Sequence, residues 1–312
     1  MSTAAQATPG SRRSRITRER RLADLVGVGP ITLLYGVFVL VPIAALGVLS
    51  FFRWNGLGTP HWAGLANWRM FVDDPTAHAA LVVTLKVVVL SWLIQTPLSL
   101  ALGLFVAGRQ RWRTVYAAIF VLPLLLSTAG VSLMWGALLN PSLGGLAYLS
   151  HAWHISWLEQ NWLGSLNLTL PVIVVIVAWQ FIPFHTLLYQ MGRRNIPEVL
   201  YEAAAVDGAS HWQLFWHVTL PQLRYTIVTS SVLIIVGSLT YFDIFYILTD
   251  GGPGNTSRVL SLWMYQQAFQ YQNIGYAAAV GTVIGILAIL AAGLIIRVTG
   301  FASLRSQQAG IA

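Results

Sequence analysis

Six stretches of this chain are so long and so apolar that water is the wrong solvent for them. They lie near residues 25–52, 79–107, 115–139, 168–191, 223–248 and 275–298. Each can cross a hydrocarbon core of roughly 30 Å, which takes about 20 helical residues. Backbone in such a core must satisfy its N–H and C=O groups internally, and an α-helix does so within one segment. The expected fold class is therefore all-α: a polytopic transmembrane helical bundle of six spans. Composition points the same way, because 56% hydrophobic and 9% charged residues leave too little polar surface to coat a soluble globule of 312 residues. Pro42, Pro97, Pro123 and Pro183 fall inside spans. Membrane helices tolerate them where neighbours satisfy the freed carbonyls, so kinked helices around a cavity are expected.

A formal net charge of +8 raises the question of nucleic acid. The basic residues do not form a polar folded patch but sit at the ends of the apolar runs, so a nucleic-acid partner is excluded and the lipid bilayer takes its place. Arg12, Arg13, Arg15, Arg18, Arg20 and Arg21 precede the first run; Arg109, Arg111 and Arg113 separate the second and third. Arg193, Arg194 and Arg224 flank the fourth and fifth, and Arg297 and Arg305 follow the sixth, whereas the other face carries Arg53, Arg69 and Arg258. The positive-inside rule then places both termini in the cytoplasm and residues 140–167 outside, where Trp153, Trp157 and Trp162 suit a segment at the membrane interface. Residues 1–21, rich in Ser, Ala, Thr and Arg, read as a flexible basic cytoplasmic tail, 22–305 as the transmembrane domain and 306–312 as a C-terminal tail. A cleaved signal peptide is the rival for the first run. That run exceeds a secretory apolar region and has no small-residue cleavage site at its end. With no cysteine present, disulfides and thiolate metal sites are excluded.

The loop between the fourth and fifth runs, 193–221, is not featureless. Pro197 suits a first helical turn, Glu198 and Glu202 suit its positive end, and Ala203, Ala204 and Ala205 are strong helix formers. Gly208 can adopt the left-handed stop, Ser210 with Gln213 makes a capping box for a second helix, and Pro221 can open the next span. On physics alone this is equally an amphipathic helix pair lying on the membrane surface. The run Glu202-Ala203-Ala204, three residues, Gly208, nine residues, Val218, one residue, Leu220-Pro221 resembles the EAA loop of ABC importer permeases at every specified position. That resemblance implies the type I ABC importer fold and a coupling helix that seats in a cleft of the ATPase subunit. The coupling residues it implies are Glu202, Ala203, Ala204, Asp207, Gly208, Leu220 and Pro221.

A second block, Phe242 to Pro253 followed by Tyr265 to Phe269 and Gly275 to Ala279, is similar to carbohydrate-uptake permeases of the maltose type. Leu122-Pro123 and the stretch Asn140 to Gly145 fit the same group. A pyranose needs a flat apolar surface for its CH face and hydrogen bonds for its hydroxyls. Val177, Gln180, Phe181 and Phe184 recur at helical spacing on the fourth run, and Gly237, Ser238 and Tyr241 on the fifth. By resemblance these positions, with Thr128, correspond to sugar contacts, although Gln180 and Gly237 differ in type from the family member. The alternative is that they are packing residues, since small and polar side chains also glue membrane helices.

The resemblance further implies the partners: a second related permease, two ATP-binding cassette subunits and an extracytoplasmic sugar-binding protein, all at a bacterial plasma membrane. No cofactor is expected in this subunit, ATP and Mg belonging to the ATPase. No nucleotide motif or nucleophile–base arrangement marks the chain as an enzyme. An ion-coupled secondary transporter is a rival class; it predicts paired intramembrane carboxylates or broken helices in repeated halves, which the sequence does not offer. A membrane-embedded enzyme is another, with Asp243 and scattered His residues as its only material. Lys86, the single lysine, sits inside the second run and either pairs with a carboxylate or snorkels.

Overall fold

A computed structural model describes residues 29–108 and 111–299; both predicted tails and Arg109 lie outside the described residues. The chain opens with α1 (Gly29–Leu49), whose span carries a π-turn at Gly36–Leu40 just ahead of Pro42. Pro42 cannot donate the bond that would close a regular turn there. A two-residue antiparallel hairpin follows, β1 (Phe52–Arg53) paired with β2 (His61–Trp62), then α2 (Ala66–Asp73). Hydropathy extends the first span through 52, but the helix ends at Leu49, and the hairpin and α2 carry no sequence signal of that length. Asn67 ties them down by donating to the Ser50 and Phe52 carbonyls at 2.9 and 2.8 Å.

The bundle is organised around α3 (Pro75–Ala107). Asp74 caps it through Thr76 N–H at 2.8 Å, and Pro75 occupies the first turn, where a missing donor is harmless. Its buried stripe runs Ala77, Ala80, Thr84, Val87, Ser91, Gln95, Ser99, Gly103, at steps of three or four residues. Such small and polar side chains let membrane helices approach closely. The approach is closest at Gly103, where an added Cβ would lie 2.6 Å from Tyr189 Cβ and 2.9 Å from the Thr186 carbonyl. Those neighbours belong to α7 (Thr169–Arg194), the most extensive partner of α3. Lys86 lies on the exposed face of α3, away from this seam.

The third and fifth predicted spans are both broken. Residues 115–139 form α4 (Arg111–Leu125) and α5 (Thr128–Leu138), bent by 99° between Ala118–Leu125 and Thr128–Leu138. Pro123 removes a late donor from α4, and Ser127 starts α5 afresh by accepting from Gly130 N–H at 3.1 Å. Beyond them α6 (Gly145–Trp153) carries the exposed Tyr148 and Trp153. The stretch 223–248 is α10 (Arg224–Thr240) and α11 (Asp243–Thr249), interrupted at Tyr241 and Phe242. The Tyr241 carbonyl freed by that interruption accepts from the Ser261 hydroxyl. Asp243 is exposed in the first turn of α11, where its charge suits the helix end.

Next come a loop of left-handed residues, Asp250, Gly251, Gly254 and Asn255, with a cis Gly252–Pro253 bond, then α12 (Leu260–Tyr265), continued by a π-turn at Gln266–Gln270, and α13 (Ile274–Thr299). Gly275 lets the hairpin dock on α13, because a Cβ there would meet the Phe52 carbonyl at 2.0 Å. Among the described residues four helices are long and apolar enough to cross a membrane, and six spans result if α4 with α5, and the helix His211–Gln222 with α10, each count as one.

Candidate functional site

Two regions gather the candidate residues. The first is the loop between α7 and α10. It folds as α8 (Glu198–Val206) and α9 (His211–Gln222), the latter containing a π-turn at Phe215–Thr219. Pro197 stands just before α8 rather than in its first turn. α8 stops at Gly208, which takes φ +75°; Gly208 N–H donates to the Ala205 carbonyl at 3.1 Å and Ala209 N–H to the Ala204 carbonyl at 2.9 Å. This pair of bonds is the Schellman stop that the sequence predicts. The Ser210–Gln213 capping box then opens α9.

Pro221 does not open the next span. It lies in the last turn of α9, and the chain bends by 66° between α9 and α10. Without an N–H, Pro221 cannot bond the His217 carbonyl, which fits the widened turn immediately before it.

A contact that sequence reading missed fastens the loop. Tyr201 Oη shares a hydrogen bond with Thr219 Oγ1 at 2.9 Å, joining α8 to α9, and the Arg193 guanidinium lies over the Tyr201 ring at 3.9 Å from its centroid. The partner hydroxyl is 18 residues away, so no local pattern marks it. Held in this way, the loop exposes Glu202, Ala203, Asp207 and Gly208, while Ala204 and Leu220 are half-buried. Val206 is 88% exposed and Trp212 69%, and a groove of about 350 Å³ runs between the two helices past Ala204, Asp207 and Gly208. Exposed apolar side chains on a hairpin whose two helices are hydrogen-bonded together form a surface suited to another protein.

The second region lies along α7, between the α4–α5 break and the end of α10, and it sorts the seven cavity candidates into two groups. Gln180 and Thr128 come together at the α4–α5 break: Gln180 Nε2 donates to the Leu126 carbonyl and to Thr128 Oγ1, both at 3.3 Å. Gln180 is thereby buried and satisfies a carbonyl that the break sets free. Ser238 is buried too, donating to the Ile234 carbonyl at 2.7 Å, and Val177 belongs to the apolar core. The remaining candidates are half-buried, apart from the exposed Phe184. Phe181 and Tyr241 stack with ring centroids 5.5 Å apart at 18°, Phe184 is 39% exposed, and a Cβ on Gly237 would meet nothing within 4 Å. Gln95 of α3, fully buried beside Tyr241, is an addition that the sequence reading did not single out.

The second sequence block also assembles in space. Phe242, Tyr246, Tyr265 and Phe269 form one aromatic cluster with neighbouring centroids 4.8–5.3 Å apart. It braces α11 against α12 beneath the Tyr241 break.

Fold and site together define a polytopic membrane protein with an exposed helical hairpin between α7 and α10 and a stacked aromatic pair between its helices. The sequence pattern described as binding-protein-dependent transport system inner membrane component matches residues 95–300, and the chain belongs to that family. It is 32% identical over 266 residues to a probable ABC transporter permease protein of Pyrococcus horikoshii, covering 84% of this chain and 90% of that one. It is 31% identical over 271 residues to the trehalose/maltose transport system permease protein MalF of Thermococcus litoralis, covering 86% and 89%. A chain of a solved bacterial ABC transporter involved in import of the acidic polysaccharide alginate shares the fold, with TM-score 0.75 and 23% identity over 96% of this chain and 99% of that one. The protein is an inner-membrane ABC transporter permease, and the relatives it matches are transport subunits.

Proposed function

We propose that this subunit conducts an oligosaccharide through an ATP-driven importer, receiving it from an extracytoplasmic binding protein and taking its energy from ATPase subunits, which hold the ATP and Mg. The observation that carries the reading is the α8–α9 hairpin, a rigid, partner-facing object that matches the coupling-loop pattern residue by residue. Its end of the bundle is then cytoplasmic, as are both termini, in keeping with the Arg distribution. A second related permease completes the pathway. Sugar as the substrate class is supported by the named relative that transports trehalose and maltose. It is supported also by the stacked Phe181–Tyr241 pair, which offers a flat apolar face beside the half-buried Thr128.

Proteoliposomes holding the whole complex test this. Uptake of labelled maltotriose, trehalose or an arabinose oligomer is expected to require ATP and the binding protein. Replacing Tyr241 and Phe184 by Ala should lower uptake while the complex still assembles. Uptake driven by an ion gradient without ATP would replace this reading with a secondary transporter.

A further inference from the structure

The sugar face does not end at Phe184. Three positions of that face recur three helical turns closer to the coupling loop: Gly192 lies eleven residues after Phe181, Asn195 eleven after Phe184, and Thr226 eleven before Gly237. Eleven residues at 3.6 per turn return to nearly the same direction about 16 Å along the axis. Gly192, Asn195 and Thr226 all line one cleft of about 310 Å³ between the ends of α7 and α10. Gly192 is needed for its shape, since a Cβ there would press on Thr226 Oγ1 at 2.6 Å.

The chemistry of the cleft is neutral. Its polar side chains are the carboxamides of Asn195 and Gln222, the hydroxyls of Thr226 and Thr229 and the phenol of Tyr225. Among the described residues no charged side chain lines it. The nearby cations reach elsewhere: Arg224 Nη2 donates to the Thr299 carbonyl at 2.8 Å, and Arg193 lies over Tyr201. Leu188 and Met191 add an apolar wall. Amides and hydroxyls that both donate and accept, beside an apolar wall and without a cation, suit a neutral polyhydroxylated ring rather than a phosphate or carboxylate.

We infer that this cleft is a second sugar subsite, an exit vestibule that holds the leading ring of the oligosaccharide after it passes Phe184 and Gly237. The inference rests on the sugar reading and the orientation proposed above. The position gives the subsite a consequence. Asn195 caps α7 three residues before α8 and Gln222 is the last residue of α9, so a movement of α9 relative to α7 changes the spacing of the two carboxamides.

The chain has no cysteine, so single cysteines report cleanly on it. Thr226→Cys and, separately, Phe184→Cys are placed in the full complex in inside-out vesicles, and labelling by a water-soluble maleimide is timed with maltotriose, trehalose or arabinotriose. At a sugar concentration roughly ten times the half-protecting one, labelling of Thr226→Cys should slow about tenfold, with mannitol having no effect. Adding Asn195→Leu and Gln222→Leu should abolish that protection while leaving protection of Phe184→Cys intact. Protection at Phe184→Cys without protection at Thr226→Cys overturns the vestibule but keeps the sugar path. A Thr226→Cys that the reagent cannot reach also overturns it, since the cleft then faces lipid. Protection at neither position by any of the three sugars overturns the sugar reading along with it.

Discussion

Gly208 is where backbone physics can be separated from packing. An L side chain at φ +75° costs about 1 kcal/mol for Ala and about 2 kcal/mol for a β-branched residue. A Cβ at this position meets no heavy atom within 4 Å, so no clash adds to that cost. The conformational strain is therefore the whole local effect. By the relation of free energy to population, 1–2 kcal/mol opens the stop about 5- to 30-fold more often.

The stop is read out by Ala209 N–H, which donates to the Ala204 carbonyl. Hydrogen exchange of the segment around α8 in the assembled complex should accelerate by that factor in Gly208→Val and by less in Gly208→Ala. Gly208→Asn is the decisive control. Asn is larger than Ala but tolerates the left-handed region, so it should stay near the parent. The ratio of sugar uptake to ATP hydrolysis should follow the same order, Gly, Asn, Ala, Val. If Ala matches Gly while Asn exchanges fastest, size and not φ governs the position, and the Schellman account of the loop is wrong.

Other perturbations reach different parts of the molecule. Gly103→Ala places a methyl 2.6 Å from Tyr189 Cβ and against the α7 backbone, so the solubilised complex should lose about 1–3 kcal/mol, seen as a lower melting temperature; an unchanged one would mean that α3 and α7 are not in backbone contact. Glu202→Lys reverses a charge on the exposed face of α8, and co-purification of the ATPase should fall while membrane insertion persists; full retention with normal uptake would remove Glu202 from the interface. Burial works to raise the Asp74 pKa, but hydrogen bonds from Tyr276, from the Thr76 and Ala77 backbone and from Trp263 outweigh it and hold the carboxyl below its ordinary value. A lowered folded-state pKa stabilises the protein fully above the ordinary value and ceases to do so as pH falls through the folded one. The melting-temperature gap between parent and Asp74→Asn should therefore be widest near neutrality and narrow in strong acid, and a gap constant across that range would exclude the charge as its cause. Cysteines at the exposed Ser142 and Ser210 test orientation: only the first should label from outside intact cells, and labelling at Ser210 instead would invert the topology.

The features that sequence alone determined are those whose physics is local. Hydropathy over about 20 residues located the apolar runs, since a helix satisfies its own backbone wherever it lies. The Gly208 stop and the Ser210 capping box were legible because both are bonds between groups at most five residues apart. Tertiary structure alone decided where the helices break and which residues face a cavity. The same apolar run that reads as one span divides at Leu126, where Gln180, 54 residues away, donates to the stranded carbonyl, and another divides at Tyr241, where Ser261 donates. Gln180 and Ser238 share a helical face with Phe181 and Gly237 in the sequence, yet their hydrogen bonds turn them inward, while the aromatic pair stacks at the edge of the core and Gly237 has open space beside it. Periodicity gives a residue's direction around its own helix. The neighbouring helix that fills that direction, or leaves it open, comes from distant segments, and only the folded chain brings them together.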